Sequence, residues 1–401
     1  MPVTDLLATD AEILVRTRLD ELLAAHDPQA TPPVEFAGAR YDAGLAWVWF
    51  PEGFGGLGLS PDLQGIIEQR LRKAGAPNEI ERNVIGYGMA APTVLTHGTD
   101  EQKRRLLRPL YTCEEIWCQL FSEPGAGSDV AGLATRAVRD GDEWVVNGQK
   151  VWTTLAHTAK WGLLLARTDP AAEKHRGMTY FIVDMKAPGV EVRALRQITG
   201  EAEFNEVFFN DVRIPDSARL DAVGAGWGVA MTTLMNERVA IGGGVAARNA
   251  GPIHDALHVW RQRGGGTAAE QDRLMRLWVQ ADVARLTNMR AREMRRAGTP
   301  GPEGSVAKLI SAELNKDIYE FCVDLLGMTG TLYPTHYEMT RPERAGAIGG
   351  DVRHSFLRAR ANSIEGGTSE IMRNILGERV LGLPGEPRVD KGLPWSQVPH
   401  N

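Results

Sequence analysis

The apolar residues of this chain change period twice, and that restricts the folds open to it more than any other feature. Up to about residue 112 they recur near helical spacing, as in Asp10 to Ala25 with Ile13, Leu14, Leu19, Leu22 and Leu23. Pro51, Gly53, Gly55, Gly56 and Gly58 break this region with a loop, and helical patterns resume over Leu63 to Ala74. Asp100 to Leu107 reads as a short helix capped by Thr99 or Asp100. From about 114 to 222 short β-type runs take over: Glu143-Trp-Val-Val, Trp161-Gly-Leu-Leu-Leu-Ala, Thr179-Tyr-Phe-Ile-Val-Asp and Val207-Phe-Phe. Turn pairs such as Asp140-Gly141 and Asn147-Gly148 separate them, the pattern of a small antiparallel barrel or sandwich. From about 225 the helical period returns. In Gln271 to Arg296, Leu274, Leu277, Trp278, Ala281 and Ala284 form one stripe, read as core packing. Arg263 to Gly266 and Gly298 to Pro302 are connectors. The order helices, strands, helices predicts an α+β multi-domain chain. Its expected parts are an N-terminal helical domain (1–112), a middle β domain (113–222) and a C-terminal helical domain (223–385). A loose Pro- and Gly-rich tail follows, with 386–401 outside any domain.

Composition excludes several function classes. With 401 residues, 43% of them hydrophobic, the chain can bury a large core in two or three domains. Its net charge of −6 and the lack of a basic stripe interleaved with aromatics argue against nucleic-acid binding. The basic run from Arg292 to Arg296 reads as a solvated helix face. Cys113, Cys118 and Cys322 offer neither a disulfide framework nor metal-ligand spacing, as expected of a reduced, cytosolic protein. Met1 to Asp20 carries acids throughout and does not read as a signal peptide. No stretch approaches the roughly 18–20 apolar residues that span a bilayer.

The densest chemistry lies in Leu120-Phe-Ser-Glu-Pro-Gly-Ala-Gly-Ser-Asp-Val130. Pro124 starts a turn, and Gly125 and Gly127 let backbone approach a ligand without a Cβ in the way. Ser122 and Ser128 add hydroxyls, and successive N–H groups in such a turn can form a concave nest. Taken alone, a Pro-Gly-x-Gly run is an ordinary surface turn. Four further segments stand in a fixed order around it. They are Trp49-Phe-Pro-Glu-Gly-Phe-Gly-Gly-Leu-Gly58, His97-Gly-Thr-Asp-Glu-Gln-Lys103, Asn147-Gly-Gln-Lys-Val-Trp-Thr-Thr154 and Ile364-Glu-Gly-Gly-Thr-Ser-Glu-Ile371.

Together these segments resemble the signatures of the acyl-CoA dehydrogenase family over about residues 15 to 385. The resemblance implies that family's fold, with a C-terminal four-helix bundle, FAD as cofactor and an acyl-CoA thioester as substrate. It implies that Ser122 contacts the pyrimidine edge of the isoalloxazine, that Trp152 lies against the ring and that Thr154 sits near N5. Leu120, Gly127 and Thr153 belong to the same flavin-contacting set. Thr368 and Glu370 are expected near the FAD phosphates or ribityl chain, and Ser128, Arg238 and Gly366 on the substrate side. Trp152 as a core aromatic and Thr154 as an ordinary strand residue are the structural alternatives.

The implied reaction is α,β-dehydrogenation: a carboxylate removes the α-proton and the β-carbon passes hydride to flavin N5. The enolate that develops needs donors aimed at the thioester oxygen, and the base needs a dry pocket that raises its pKa. Most members place the catalytic Glu directly before Gly-Thr-Ser of the C-terminal signature. Here that position is Gly366, and Glu365 stands one residue early. A minority, isovaleryl-CoA dehydrogenase among them, takes its base from the Glu of a Leu-x-x-Glu-Arg pattern. This chain has Leu234-Met-Asn-Glu237-Arg238, so Glu237 is the expected base, with Glu365 the alternative and a plain helix-face carboxylate the structural reading.

Two family motifs are altered. An Arg-x-x-Phe-Gly motif that holds the FAD pyrophosphate of a neighbouring subunit is missing from the stretch Gly251 to Gly266. Gln-x-x-Gly-Gly-x-Gly, near the adenine end, appears as Asp324-Leu-Leu-Gly-Met-Thr-Gly330. Three readings stay open: an active homo-oligomeric dehydrogenase, dimer or tetramer; a partner subunit that shares FAD in a hetero-oligomer; and a flavin oxidase or oxygenase on the same fold. Glu201 to Phe208 and Gly301 to Lys308 resemble the actinobacterial branch, some of whose members act on steroid side chains. The small residues from Ile241 to Gly244 either open the pocket floor to a bulky acyl group or allow close helix packing. An electron-transfer flavoprotein is the acceptor the resemblance implies.

Overall fold

The computed structural model describes residues 9–78, 80–242, 247–296, 303–333, 338–345, 351–388 and 390–399, and leaves the side chains of 237–242, 295–296 and 303 undescribed. Five α-helices come first: α1 (Asp10–Ala25), α2 (Pro33–Asp42), α3 (Gln64–Lys73), α4 (Ala91–His97) and α5 (Asp100–Tyr111). Thr99 is the cap of α5. Its Oγ1 accepts from Gln102 N–H at 3.2 Å, and Gln102 Oε1 accepts from Thr99 N–H at 2.8 Å, which satisfies two otherwise unpaired helix donors. A π-helical turn over Gly86–Ala90 leads into α4.

Eight strands follow: β1 (Trp117–Leu120), β2 (Arg136–Asp140), β3 (Glu143–Thr154), β4 (Trp161–Arg167), β5 (Met178–Asp184), β6 (Val190–Ala194), β7 (Phe204–Pro215) and β8 (Arg219–Leu220). They run in the order β6-β7-β3-β2-β4-β5-β8, with β1 beside β4. Of the expected antiparallel barrel or sandwich, the closed barrel and the all-antiparallel pairing are corrected. The sheet stays open, and β1 and β2 pair with β4 in parallel. Since β2 meets β4 only at Arg136–Arg167, the strands form two ladders joined at that corner, and side chains from both fill one core between them. Strands β4 and β5 are buried on both faces. Leu164, Ala166, Phe181 and Val183 face that inner core, while Leu163, Leu165, Tyr180 and Ile182 pack on the N-terminal helices. This explains why their sequences run apolar without alternation.

The C-terminal part holds α6 (Gly226–Gly242), α7 (Pro252–Arg263), α8 (Ala268–Arg296), α9 (Glu303–Leu326), α10 (Val352–Ala359) and α11 (Ser369–Arg379). Helix α9 is its hub and touches α6, α7, α8, α10 and α11. Among the described residues the bundle core comes from α7, α8 and α9, through Ile253, Ala256, Leu274, Leu277, Ile318 and Phe321, with Ala359 of α10. Helix α6 leans the other way, onto β5 and the turn before α4. The predicted stripe of α8 is inward as expected. The same helix also carries Met275, Val279, Val283, Leu286 and Met289 exposed, a second apolar stripe that the single-stripe reading missed.

The tail beyond Pro384 is not loose throughout. Trp395 N–H donates to Ala172 O at 2.9 Å and its indole N–H to Gly132 O at 3.2 Å. The Arg167 guanidinium lies 4.9 Å from the Trp395 ring centre, and Lys174 binds Asp390 at 3.1 Å. Aromatic stacking on a buried arginine holds this Pro-rich segment against the sheet, which composition alone could not indicate.

Candidate active site

The loop after β1 is fixed from beneath. Glu123 and Ala126 exchange backbone hydrogen bonds at 3.0 Å, which closes a tight turn around Pro124-Gly125. Val151 N–H donates to Ser122 O at 2.9 Å, so the loop lies along β3. Lys150, fully buried, donates from Nζ to Phe121 O at 2.9 Å and to Glu123 Oε1 at 2.8 Å. Glu123 also accepts from Ala134 N–H at 2.7 Å and Thr135 N–H at 2.9 Å. Burial would push the Glu123 carboxyl up, but Lys150 and these N–H donors outweigh it and hold it below the ordinary carboxylate range. Neither residue was singled out from sequence. The signal existed: Lys150 shares strand parity with inward-facing Trp144 and Val146.

Above this buried pair, β3 is irregular. Its register with β7 shifts between Lys150 and Thr153, and Trp152 has a φ of +60°. A bulky residue rarely adopts that conformation, and strain of this kind persists only where surrounding structure over-determines it. The result is an indole that stands 58% exposed, with Phe204 edge-on at 5.9 Å between ring centres. The core-aromatic reading of Trp152 therefore does not apply. Half-buried Ser122 and Thr154 are its neighbours along the loop and strand. Thr153 is buried, and its Oγ1 has no hydrogen-bond partner among the described residues. Leu120 is fully buried and packs against Gly162. Gly127 and Ser128 are exposed at the loop tip, and no atom lies within 4 Å of where a Cβ on Gly127 would stand. Asp129, next in sequence, binds Lys174 at 2.6 Å.

The second wall is the segment that leads into α11. Gly366 and Gly367 have φ of +62° and +91°, which favours glycine at both positions. Lys308 of α9 donates to Asn362 O at 2.7 Å and Gly367 O at 2.6 Å. Glu365 does not stand free. Arg358 holds it with both Nη atoms, at 3.1 and 3.0 Å, and Asn362 Nδ2 donates to it at 2.8 Å. Thr368 caps α11, with Oγ1 accepting from Ile371 N–H at 3.1 Å. Glu370 is exposed and pairs with Arg373 at 3.2 Å. Arg358 and Asn362 were not foreseen, since nothing periodic links them to Glu365.

Helix α6 carries positions 237 and 238, and the side chains of Glu237 and Arg238 lie outside the described residues. One turn earlier the helix is pinned. Thr233 Oγ1 is 2.9 Å from both Thr93 Oγ1 and the Tyr180 hydroxyl, and Thr232 Oγ1 is 2.9 Å from His97 Nε2. Of Ile241 to Gly244, nothing beyond the helical backbone of Ile241 and Gly242 falls within the described residues.

Known proteins match this arrangement along its length. Family profiles described as acyl-CoA dehydrogenase N-terminal, middle and C-terminal domains match residues 4–114, 118–212 and 224–381. Acyl-CoA dehydrogenase IpdE1 of Mycobacterium tuberculosis is 39% identical over 351 residues, covering 86% of each chain. The chain belongs to the acyl-CoA dehydrogenase family. Acyl-CoA dehydrogenase FadE34 of the same organism is 41% identical over 381 residues, which are 94% of this chain, but the chain spans only half of FadE34's length. Among solved structures, the "Tcur3481-Tcur3483 steroid ACAD" superposes with a TM-score of 0.72 at 25% identity, covering 96% of this chain and all of that one. The ChsE4-ChsE5 complex from Mycobacterium tuberculosis gives 0.69 at 29% identity with the same coverage.

Members of this family are FAD flavoproteins, and the inner half of the site fits that cofactor. An exposed indole on a strained bulge, flanked by two half-buried hydroxyls, suits the face and edge of a flat heteroaromatic ring. The altered motif lies at the end of α9. Asp324, at the altered Gln position, is engaged by Arg273 at 2.6 Å, and Met328 is 83% exposed.

Proposed function

We propose that this chain catalyses FAD-dependent α,β-dehydrogenation of an acyl-CoA thioester to the trans-2-enoyl-CoA, with Glu237 as the base. The observation that carries the reading is the state of the C-terminal signature. Gly366 has no side chain there, and Glu365 is committed to Arg358 and Asn362, which leaves α6 to supply the carboxylate. Hydroxyl contacts to Thr232 and Thr233 hold that helix one turn before Glu237. The Glu237 carboxylate takes the α-proton. Bound FAD supplies the acceptor for the β-hydrogen and its electron pair. Trp152, Ser122 and Thr154 are assigned to the ring and its edge, Leu120, Gly127 and Thr153 to the loop and strand around it, and Thr368 and Glu370 to its far side. Ser128, Arg238 and the Gly366 backbone are assigned to the thioester.

The altered outer motifs favour a second element of the reading, an oligomer in which another chain completes the adenine end of the FAD site. The pairing of Asp324 with Arg273 and the bare Met328 are its support. A steroid-type acyl group is the first substrate to try, because one structural relative is described as a steroid ACAD. The assigned acceptor is an electron-transfer flavoprotein, and the assigned compartment the cytoplasm. Among the described residues no helix is long and apolar enough to cross a membrane.

The test is anaerobic titration of the flavin-loaded protein with short, long, branched and steroid-type acyl-CoAs. One class should bleach the oxidised flavin, and Glu237→Gln should abolish both bleaching and solvent exchange of the substrate α-hydrogen. Exchange that survives in Glu237→Gln overturns the base assignment. Protein that takes up flavin only with a second chain turns the reading to a shared site.

A further inference from the structure

Arg358 occupies a position that the proposed chemistry does not by itself require. It lies at the end of α10, its side chain is 11% exposed, and it faces two carboxylates from different parts of the fold. On one side its two Nη atoms grip Glu365 at 3.1 and 3.0 Å, the residue directly before Gly366-Gly367. On the other side its Nε lies 3.5 Å from Glu203 Oε1, in the turn that enters β7. Its guanidinium carbon also stands 5.8 Å from the Phe204 ring centre, and Phe204 meets the exposed Trp152 edge-on. Burial works against the arginine's charge, but Glu365, Glu203 and Glu201 outweigh it and hold the guanidinium protonated. Bidentate pairs of this kind fix geometry as well as charge. The outward-facing indole wall and the left-handed Gly366-Gly367 backbone are therefore tied to one side chain.

We infer that Arg358 is a positioning residue: it holds the Gly366-Gly367 backbone at a set distance and tilt from Trp152 and keeps Glu365 out of the proton-transfer role. This inference rests on the reading of the site as a thioester dehydrogenase with its base on α6. In that reading the backbone N–H groups of these two left-handed residues serve the thioester oxygen as it gains charge. Lys308 holds the same loop through its carbonyls from the α9 side, so Arg358 supplies the restraint facing the sheet. Loss of that restraint moves the loop relative to the indole without emptying the binding site.

The experiment uses Arg358→Met, Arg358→Lys, Glu365→Gln and the Arg358→Met/Glu365→Gln pair. A displacement of about 1 Å at such a wall costs on the order of a hundredfold in rate. Flavin reduction in Arg358→Met should therefore slow by roughly 10- to 100-fold while KM stays within about threefold. Arg358→Lys, which keeps the charge but not the fork, should fall between it and the native chain. The double variant should be no slower than Arg358→Met, because both changes remove one interaction. An unchanged reduction rate in Arg358→Met, or effects that simply multiply in the double variant, overturns the inference. A readout independent of turnover is amide exchange in cofactor-free protein. Residues 362–368 should exchange faster in Arg358→Met and, less so, in Arg358→Lys, and unchanged exchange in both also overturns it. If Glu365→Gln abolishes α-hydrogen exchange while Glu237→Gln does not, the base assignment falls, and the amide-exchange result then decides the clamp on its own.

Discussion

The middle sheet buries both faces of its central strands, whereas the longest helix of the C-terminal bundle leaves a row of apolar side chains bare. Strands β4 and β5 are covered on one side by β3 and β7 and on the other by the N-terminal helices and α6. In the bundle, Met275, Val279, Val283, Leu286 and Met289 face outward along α8, and Met328, Leu332, Leu381 and Leu383 add further exposed apolar groups. On the proposed reading the contrast follows the division of the site: the half assigned to the flavin ring is held by a sheet that completes its own core, down to a buried ion pair under the signature loop, and the half assigned to the adenine end lies in the region with these exposed groups. Contiguous apolar surface of this kind marks an interaction face.

The sheet side of the comparison is tested most severely at Lys150. Its ammonium and the Glu123 carboxylate satisfy each other and the loop carbonyl at Phe121. Lys150→Met keeps the volume but leaves Glu123 buried without its partner charge, so urea unfolding followed by tryptophan fluorescence should show a loss of about 3–5 kcal/mol. A loss near zero would mean that the loop is set by backbone contacts alone. The same pair has a pH signature. Glu123 has a lowered pKa in the folded chain, because Lys150 and the Ala134 and Thr135 N–H donors outweigh its burial. The stability it contributes is full above the unfolded carboxyl value of about 4.3 and is lost as pH falls through the lower folded value. Melting temperature should thus drop more steeply below about pH 4 in the native chain than in Glu123→Gln. Parallel acid slopes would contradict the assignment.

Sequence carried the element pattern far and the assembly of the site only part-way. Thr99 as a cap, the apolar runs of β4 and β5, and the glycines of the signature loops were legible because each is dictated locally, by a period, a cap or a turn. The second stripe of α8 was not, since a helix apolar on two sides gives no single face to read. Docking of Trp395 on Arg167 links residues more than two hundred positions apart through a Pro-rich segment with no period. Glu365 was named from its motif, but its pairing with Arg358 escaped for a related reason: it crosses a helix end and an irregular turn. Lys150 was within reach, because strand parity already turned it inward. Glu237 was chosen from its motif, and its side chain falls outside the described residues.

The bundle side can be broken at the outer face of α8. Val279→Asp introduces a charge in mid-stripe without touching the inner core of Leu274 and Leu277. If another chain covers this face, the change removes about 1.5–3 kcal/mol of association, and sedimentation over a dilution series should shift to smaller species. An unchanged mass at every concentration would assign the stripe no role in assembly.

The smallest effect sharpens the comparison where the two halves meet again, at the tail. After α11 the chain leaves the bundle and returns to the sheet, where Trp395 covers Arg167 and Lys174 joins Asp390 to Asp129. Asp129 follows Ser128, so the tail braces the exposed tip of the signature loop from behind. Arg167 donates from its Nη atoms to Lys174 O at 2.7 Å and Ala131 O at 2.6 Å, and the Trp395 ring stacks on the same guanidinium, so the tail adds to a side chain already tied to the loop. Trp395→Ala should cost about 1–2 kcal/mol and raise amide exchange over 128–133 while leaving α9 unaffected. Were exchange to rise in α11 instead, the tail would belong mechanically to the bundle, and the sheet would hold the flavin-side loop without help from the C-terminal end.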